Sequence, residues 1–291
     1  LRFDELSNPS VYPFIASRLG EWHRTVRVDV IEESLRRLRL EFRQNEKAEP
    51  FKKRPSDIWE LMKGWIDILP QIDGLVNVCN SNRDIQQVGM HKKASNLSNL
   101  TLKQILSEEL VWLASEIGHS SPQVTAHSDL LSGNIIIPSE MSEELEKTGR
   151  HTAKASSYTG SGTNPIAFID YEYMMPAPRA FDISNHFQEW QGFSCDKSLV
   201  PKPERENELL RKWCTSYLQQ EGSHVTKNMI DDLIDEISLY YGMPGFYWGI
   251  WAGIQSTISL IDFDYGGYSG QRLVEYWDWK RGYLKKKQGS S

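Results

Sequence analysis

With 291 residues, 39% of them hydrophobic and 11% aromatic, the chain has enough apolar mass for one large domain or two small ones. A formal net charge of -6 and a pI near 5.7, without a basic face or basic amphipathic helix, exclude a typical nucleic-acid-binding protein. Three widely spaced cysteines, Cys79, Cys195 and Cys214, lack metal-ligand spacing and fit a reducing cytosol, so a cytoplasmic protein is expected.

Asn8-Pro9-Ser10 precedes an amphipathic run over residues 11–23, expected to be a packing helix with Trp22 and His23 in the core or at its edge. Residues 41–54 are charged and contain Pro50, which predicts a solvated loop. Asp57 then caps a helix over residues 58–69, ended by Pro70. A further helix spans residues 102–117 and closes at Gly118. The short apolar runs 135–137 and 166–169 read as the two strands of an antiparallel hairpin. Between them, residues 139–164 are rich in Ser, Thr, Gly, Glu and Lys and read as a flexible hairpin insertion. Gly160-Ser161-Gly162 is no phosphate loop, because no strand precedes it and no helix-borne lysine follows. Pro176 and Pro178 mark an extended crossing segment. After it Asp182 looks like an N-cap, with Asn185, His186 and Glu189 on the first turns of the next helix. The longest uncharged stretch, residues 240–261, holds Pro244 and several glycines and reads as a buried helix, not a membrane span. Within it Trp248 and Trp251 lie one turn apart, with Tyr265 and Tyr268 close behind, and Lys285 to Lys287 form a basic, solvated tail.

The chemistry concentrates at the hairpin. In an antiparallel pair, Asn134 just before one strand and Asp170 just after the other share an end, and Asp129 lies on the loop leading in. Such residues also serve as ordinary turn formers. As a group, however, two carboxylates and an amide oxygen are hard ligands that suit Mg²⁺ on nucleotide phosphates, together with a base for phosphoryl transfer. The four rings fit a core stripe; beside an acidic cluster, with Glu189, they also suit a small cation. For Glu189 a solvated position and a substrate contact both stand, and for Asp182 both capping and chemistry.

His127-Ser-Asp129-Leu-Leu-Ser-Gly-Asn134, Ile169-Asp170-Tyr-Glu172-Tyr173, Phe181-Asp-Ile-Ser-Asn-His186-Phe-Gln-Glu189-Trp190 and Phe246-Tyr-Trp248-Gly-Ile-Trp251 resemble, in order and spacing, successive motifs of the choline/ethanolamine kinases, over about residues 8–276. The resemblance implies an α+β, protein-kinase-like fold: a mainly helical C-terminal lobe with a small catalytic β-hairpin, the N-terminal β lobe being absent. It implies ATP-dependent phosphorylation of ethanolamine to phosphoethanolamine, for phosphatidylethanolamine synthesis. Asp129 would be the catalytic base, and Asn134, Asp170 and Glu172 would serve Mg²⁺. Glu189, Trp248, Trp251, Tyr265 and Tyr268 would bind the ammonium group, with His127, Asp182, Asn185 and His186 as structural support. The form of the loop and of Glu189-Trp-Gln-Gly-Phe-Ser194 is similar to the ethanolamine members, with choline as the alternative acceptor. Before Asn8 there is neither a glycine-rich phosphate loop nor a phosphate-pairing lysine, and the chain starts with Leu1-Arg-Phe-Asp-Glu-Leu6, which looks like the end of an interlobe linker. The expectation is therefore one C-terminal lobe over residues 1–291 that grips ATP weakly, or a non-catalytic amine-binding relative. Oligomeric state is not legible in the sequence.

Overall fold

The computed structural model describes residues 1–43, 55–83, 100–148, 164–219 and 224–289. In its first half these form α1 (Tyr12–Thr25), α2 (Val28–Arg43), α3 (Ile58–Ile68), α4 (Asp73–Arg83), α5 (Leu102–Ile117), β1 (Gln123–Ala126), β2 (Ile135–Ile136) and α6 (Ser139–Thr148). There follow β3 (Ala167–Phe168), β4 (Met175–Pro178), α7 (Arg179–Gln188), α8 (Glu208–Leu218), α9 (Lys227–Tyr240), α10 (Met243–Ile258) and α11 (Tyr265–Gly289). The chain divides into two compact units, Leu1–Glu33 with Ser121–Ser238, and Ser34–Ser120 with Leu239–Ser291.

The first unit holds two antiparallel ladders. In the expected hairpin, Ile135 of β2 pairs with Phe168 of β3 and Ile136 with Ala167. The second ladder, β1 with β4, sets Gln123 opposite Pro178 and Ala126 opposite Met175. Prolines 176 and 178 cannot donate to a ladder, and β4 tolerates them because it has one strand neighbour. Helix α1 ties both ladders together. Its Arg18 donates to the Ile166 and Asn164 carbonyls, each at 2.7 Å, and Trp22 Nε1 donates to the Thr125 carbonyl at 2.7 Å. Helix α1 also packs on α8, closely enough at Gly20 that an added Cβ would collide with the Tyr217 carbonyl.

Helix α7 starts earlier than its sequence suggests. Pro178 is its N-cap, and Asp182 sits inside the first turn rather than at the cap. The first free amides already have acceptors: Arg179 N donates to Pro122 O at 2.9 Å and Ala180 N to Ser121 Oγ at 3.1 Å. The side chain of Asp182 is thereby released for another task. Residues 139–148, expected in a flexible hairpin insertion, instead form α6. Met141 and Leu145, four residues apart, are buried and give that helix an inward face. The remainder of that segment through residue 163, with Gly160-Ser161-Gly162, lies outside the described residues, as do residues 44–54 of the expected solvated loop; residues 41–43 of that loop end α2.

In the second unit, Asp57 caps α3 by accepting from Trp59 N at 2.9 Å and Glu60 N at 3.0 Å, and Thr101 caps α5 with Gln104 completing a capping box. Glu109 of α5, 6% exposed, accepts from Tyr276 Oη at 2.7 Å and from Lys280, whose ammonium lies 3.9 Å from the Trp112 ring centre. Within the stretch 240–261, the turn at residues 241–242 leads from the end of α9 into α10, whose residues are buried from Met243 to Ile250, and Lys285 to Lys287 lie within α11, where Lys287 bonds Glu116. No helix among the described residues is long and apolar enough to cross a membrane.

Helices α10 and α11 pack along a face of α10 that carries Gly245, Gly249 and Gly253 at four-residue spacing. A Cβ at Gly245 would lie 2.5 Å from the Arg272 carbonyl oxygen and 3.0 Å from the Tyr276 nitrogen. Helix propensity alone favours Gly245→Ala by about 1 kcal/mol. The obstruction is backbone and cannot swing aside, so overpacking wins, and we expect a net loss of roughly 1–3 kcal/mol in denaturant unfolding. A stabilised Gly245→Ala protein would show that the two helices are not held at this distance.

Candidate active site

The loop between β1 and β2 carries His127, Ser128 and Asp129, and α7 grips it with three side chains on one face, at positions i, i+3 and i+4. Asp182 Oδ2 accepts from His127 N at 2.9 Å and its Oδ1 from Ser128 N at 2.7 Å. Asn185 Nδ2 donates to Ser128 O at 2.8 Å, and His186 Nδ1 donates to Leu130 O at 2.9 Å. All three side chains are buried. Together these bonds hold Ser128 at a φ of 66°, a left-handed conformation that costs a non-glycine residue roughly 1–2 kcal/mol.

Burial alone would raise the pKa of Asp182. The hydrogen bond from His23, and then the proximity of His23 and His127, outweigh it and hold the carboxyl below the ordinary carboxylate range. Burial pushes His186 down to about 4, so its ring is neutral at pH 7, with Nδ1 donating and Nε2 accepting from Trp190 Nε1 at 3.3 Å. His127 is likewise lowered, chiefly by burial. Its Nε2 donates to Ile169 O at 2.9 Å while its Nδ1 accepts from Asp129 N at 3.4 Å.

The hairpin end is stitched by one more side chain. Asn134 Nδ2 donates to Asp129 O at 2.8 Å and to Asp129 Oδ2 at 3.1 Å, and the Asn134 carbonyl accepts from Ile169 N at 3.1 Å. The His127 ring and the Asn134 amide thus bind Asp129 to the residue just before Asp170. Asp170 is itself exposed and left-handed at φ 61°, and the 3-10 turn Tyr171–Tyr173 that follows presents Glu172 to solvent. Burial pushes the Asp129 carboxyl up to about 7, with Glu189, then Glu172 and Asp170, adding repulsion and the Asn134 bond opposing it. Asp129, Asn134, Asp170, Glu172 and Glu189 therefore belong to one electrostatic neighbourhood.

The donor chemistry fits a hard divalent cation. The Asn134 amide spends its NH₂ on Asp129, which leaves Oδ1 available, and Asp170 and Glu172 add accessible carboxylates; amide and carboxylate oxygens with room for water are what Mg²⁺ takes. Among the described residues no group of three or more His, Cys, Asp or Glu side chains is placed to hold a metal ion by itself.

Glu189 is the C-cap of α7, half-buried, at the start of the 3-10 turn Glu189–Gln191. In the second unit the predicted rings do meet one another. Trp248 and Trp251 are edge-on with centres 5.3 Å apart, and Trp251 meets Tyr265 at 5.8 Å. Phe263, which the sequence does not single out, touches both Tyr265 at 4.9 Å and Tyr268 at 5.7 Å. Trp248 is 6% exposed, as a core residue would be, whereas Trp251, Tyr265 and Tyr268 are only half-buried. Around the loop the sequence assigns Trp22 and His23 to packing alone and does not single out the roles of Tyr171 and Tyr217. Trp22 stacks on Tyr171 with centres 5.0 Å apart, and His23 bonds both Asp182 and Tyr217. The signal for Trp22 and His23 is two polar-tipped aromatics ending an apolar helix face, a pattern that packing explains equally well.

The family model for choline/ethanolamine kinase matches residues 1–277. The chain is 35% identical over 190 residues to ethanolamine kinase 1 of Mus musculus, covering 63% of this chain and 46% of the mouse protein. It is 27% identical over 285 residues to the probable ethanolamine kinase A of Dictyostelium discoideum, covering 98% of this chain and 63% of that protein. The solved structure of an ethanolamine kinase from Plasmodium vivax aligns with 95% of this chain and 61% of its own at a TM-score of 0.62 and 25% identity. The chain thus spans less than two thirds of each of these relatives.

An amide in place of the Asp182 carboxylate would turn an NH₂ toward donors. For Asp182→Asn we expect a loss of roughly 3–5 kcal/mol near neutral pH, the cost of breaking a buried charge network. Because the folded carboxyl titrates below its unfolded counterpart, its contribution is complete above about pH 4 and is lost as pH falls through the folded value. Urea unfolding of both proteins from pH 7 to pH 3 should show the gap narrowing only at the acid end; a constant gap would mean that Asp182 is not ionised in the folded chain.

Proposed function

The chain belongs to the choline/ethanolamine kinase family, with its protein-kinase-like α+β fold, and on that premise we propose that it transfers the γ-phosphoryl group of ATP to the hydroxyl of ethanolamine. The observation that carries this reading is the convergence of Asp129, Asn134 and Asp170 at one end of the β2–β3 hairpin, stitched by Asn134 and His127. Asp129 orients the substrate hydroxyl and takes its proton as the oxygen attacks phosphorus and the bond to ADP breaks. Asn134, Asp170 and Glu172 would hold Mg²⁺, which when bound neutralises charge on the transferring group. An open cavity of about 440 Å³ against β2, with Ile135, Ile136 and Ile137 on one wall and Ser139, Ser142, Glu143 and Glu146 on the other, offers a mixed apolar and polar surface for the adenine ring.

For the ammonium end we assign Glu189 in the first unit, because a carboxylate attracts a small cation; Trp248, Trp251, Tyr265 and Tyr268 of the second unit are candidates on the motif resemblance and the cation affinity of ring faces. The product, phosphoethanolamine, places the protein in phosphatidylethanolamine synthesis. Its three cysteines, none in a disulfide, support a cytoplasmic setting.

Two measurements test the reading. Asp129→Ala should lower ATP-dependent phosphoethanolamine formation by about 10²–10⁴-fold, the range of a lost general base, and equal activity would remove Asp129 from that role. Trp248→Ala should raise KM for ethanolamine roughly tenfold, a loss of about 1–2 kcal/mol, with KM for ATP little changed. Run with choline as competing acceptor, the same assay decides the substrate: a higher kcat/KM for choline would reassign it.

A further inference from the structure

The hydrogen bonds behind the catalytic loop do not end at Asp182. His23 Nε2 lies 2.9 Å from Asp182 Oδ2, and His23 Nδ1 lies 2.8 Å from Tyr217 Oη. The side chains of His23 and Asp182 are 2% and 0% exposed, and Tyr217 is 4% exposed. A carboxylate can only accept, so His23 Nε2 donates to Asp182 Oδ2, while Nδ1 is bonded to the Tyr217 hydroxyl, which can serve as donor or acceptor. A continuous line results: Tyr217 holds His23, His23 donates to Asp182, and Asp182 also accepts from the amides of His127 and Ser128.

A core histidine needs only to satisfy its two nitrogens. Here both are committed to polar partners on separate elements, α8 and α7, and the line they form ends on the backbone that carries Asp129. Among the described residues Asp182 receives three donors, and His23 is the one that comes from outside the loop. The closeness of α1 to α8 at Gly20 keeps His23 within reach of Tyr217.

We infer that His23, oriented by Tyr217, is a positioning residue for phosphoryl transfer, fixing the Asp182 carboxylate and through it the loop on which Asp129 stands. Its catalytic readout rests on the kinase reading above; its structural readout does not.

The test uses the complete gene product with His23→Ala, His23→Gln and Tyr217→Phe. Turnover is measured per folded molecule, and amide hydrogen exchange is followed in the peptide holding residues 127 and 128 and, as a control, in α10. For His23→Ala we expect kcat to fall about 30-fold or more, with KM for ATP and ethanolamine within about twofold, because misplaced groups cost rate rather than binding. Exchange at residues 127 and 128 should rise about tenfold while α10 is unchanged, as a locally released segment requires. His23→Gln, which keeps a donor toward Asp182, should recover most of the rate, and Tyr217→Phe should lose only about threefold. Wild-type turnover in folded His23→Ala overturns the proposal, and so does unchanged exchange at residues 127 and 128. A wild type without phosphotransfer removes the kinase reading instead, and exchange alone then decides whether His23 holds the loop.

Discussion

The buried, ionised carboxylate of Asp182 is the constraint on which the first unit turns. A lone charge at 0% exposure would cost several kcal/mol, so its donors must be present whenever the unit is folded. Two of them are the His127 and Ser128 amides, which commits the loop to one conformation, left-handed residue included. The third is His23, which commits α1 and, through Tyr217, α8. Elements far apart in sequence are thereby coupled through one side chain. The loop cannot leave without stranding the charge, and α1 cannot leave without uncovering it.

A different constraint shapes the second unit. There, glycines on one face of α10 let α11 approach until side chains of one helix meet the backbone of the other, and Ser269 Oγ donates across the gap to the Gly249 carbonyl at 2.7 Å. At that separation Trp251 of α10 reaches Tyr265 at the start of α11. The start of α11 is set in turn by Asp264, whose Oδ1 accepts from Gly267 N at 2.8 Å. The ring cluster is a consequence of close backbone packing, not of any strong attraction between the rings, which are worth about 1 kcal/mol a pair.

Much of this was legible because local rules act over a few residues. Asp57 and Gly118 mark helix ends through their own chemistry, and the hairpin follows from two apolar runs that have no other way to satisfy their backbone. The β1–β4 ladder was not legible, since four residues with two prolines carry no strand pattern and the pairing depends on tertiary placement. Asp182 was misread as a cap because an acidic residue ahead of Ile183 and Phe187 mimics one; Ser121 and Pro122, sixty residues upstream, had already supplied the acceptors. Helix α6 hid for the opposite reason, its inward face being only Met141 and Leu145 among charged neighbours. His23 has a partner but no pattern, so only coordinates reveal it.

The fixed loop and the mutually repelling carboxylates are parts of one arrangement. Glu189, Glu172 and Asp170 all act on Asp129, and in a pliable chain such groups would drift apart until water screened them. Here Asp129 is held on its amide side by His127 and on its carbonyl and carboxylate by Asn134, while Ile169 pins the approach to Asp170. The repulsion on Asp129 therefore stays in the folded chain, and a cation placed there would relieve it without rearrangement of the scaffold.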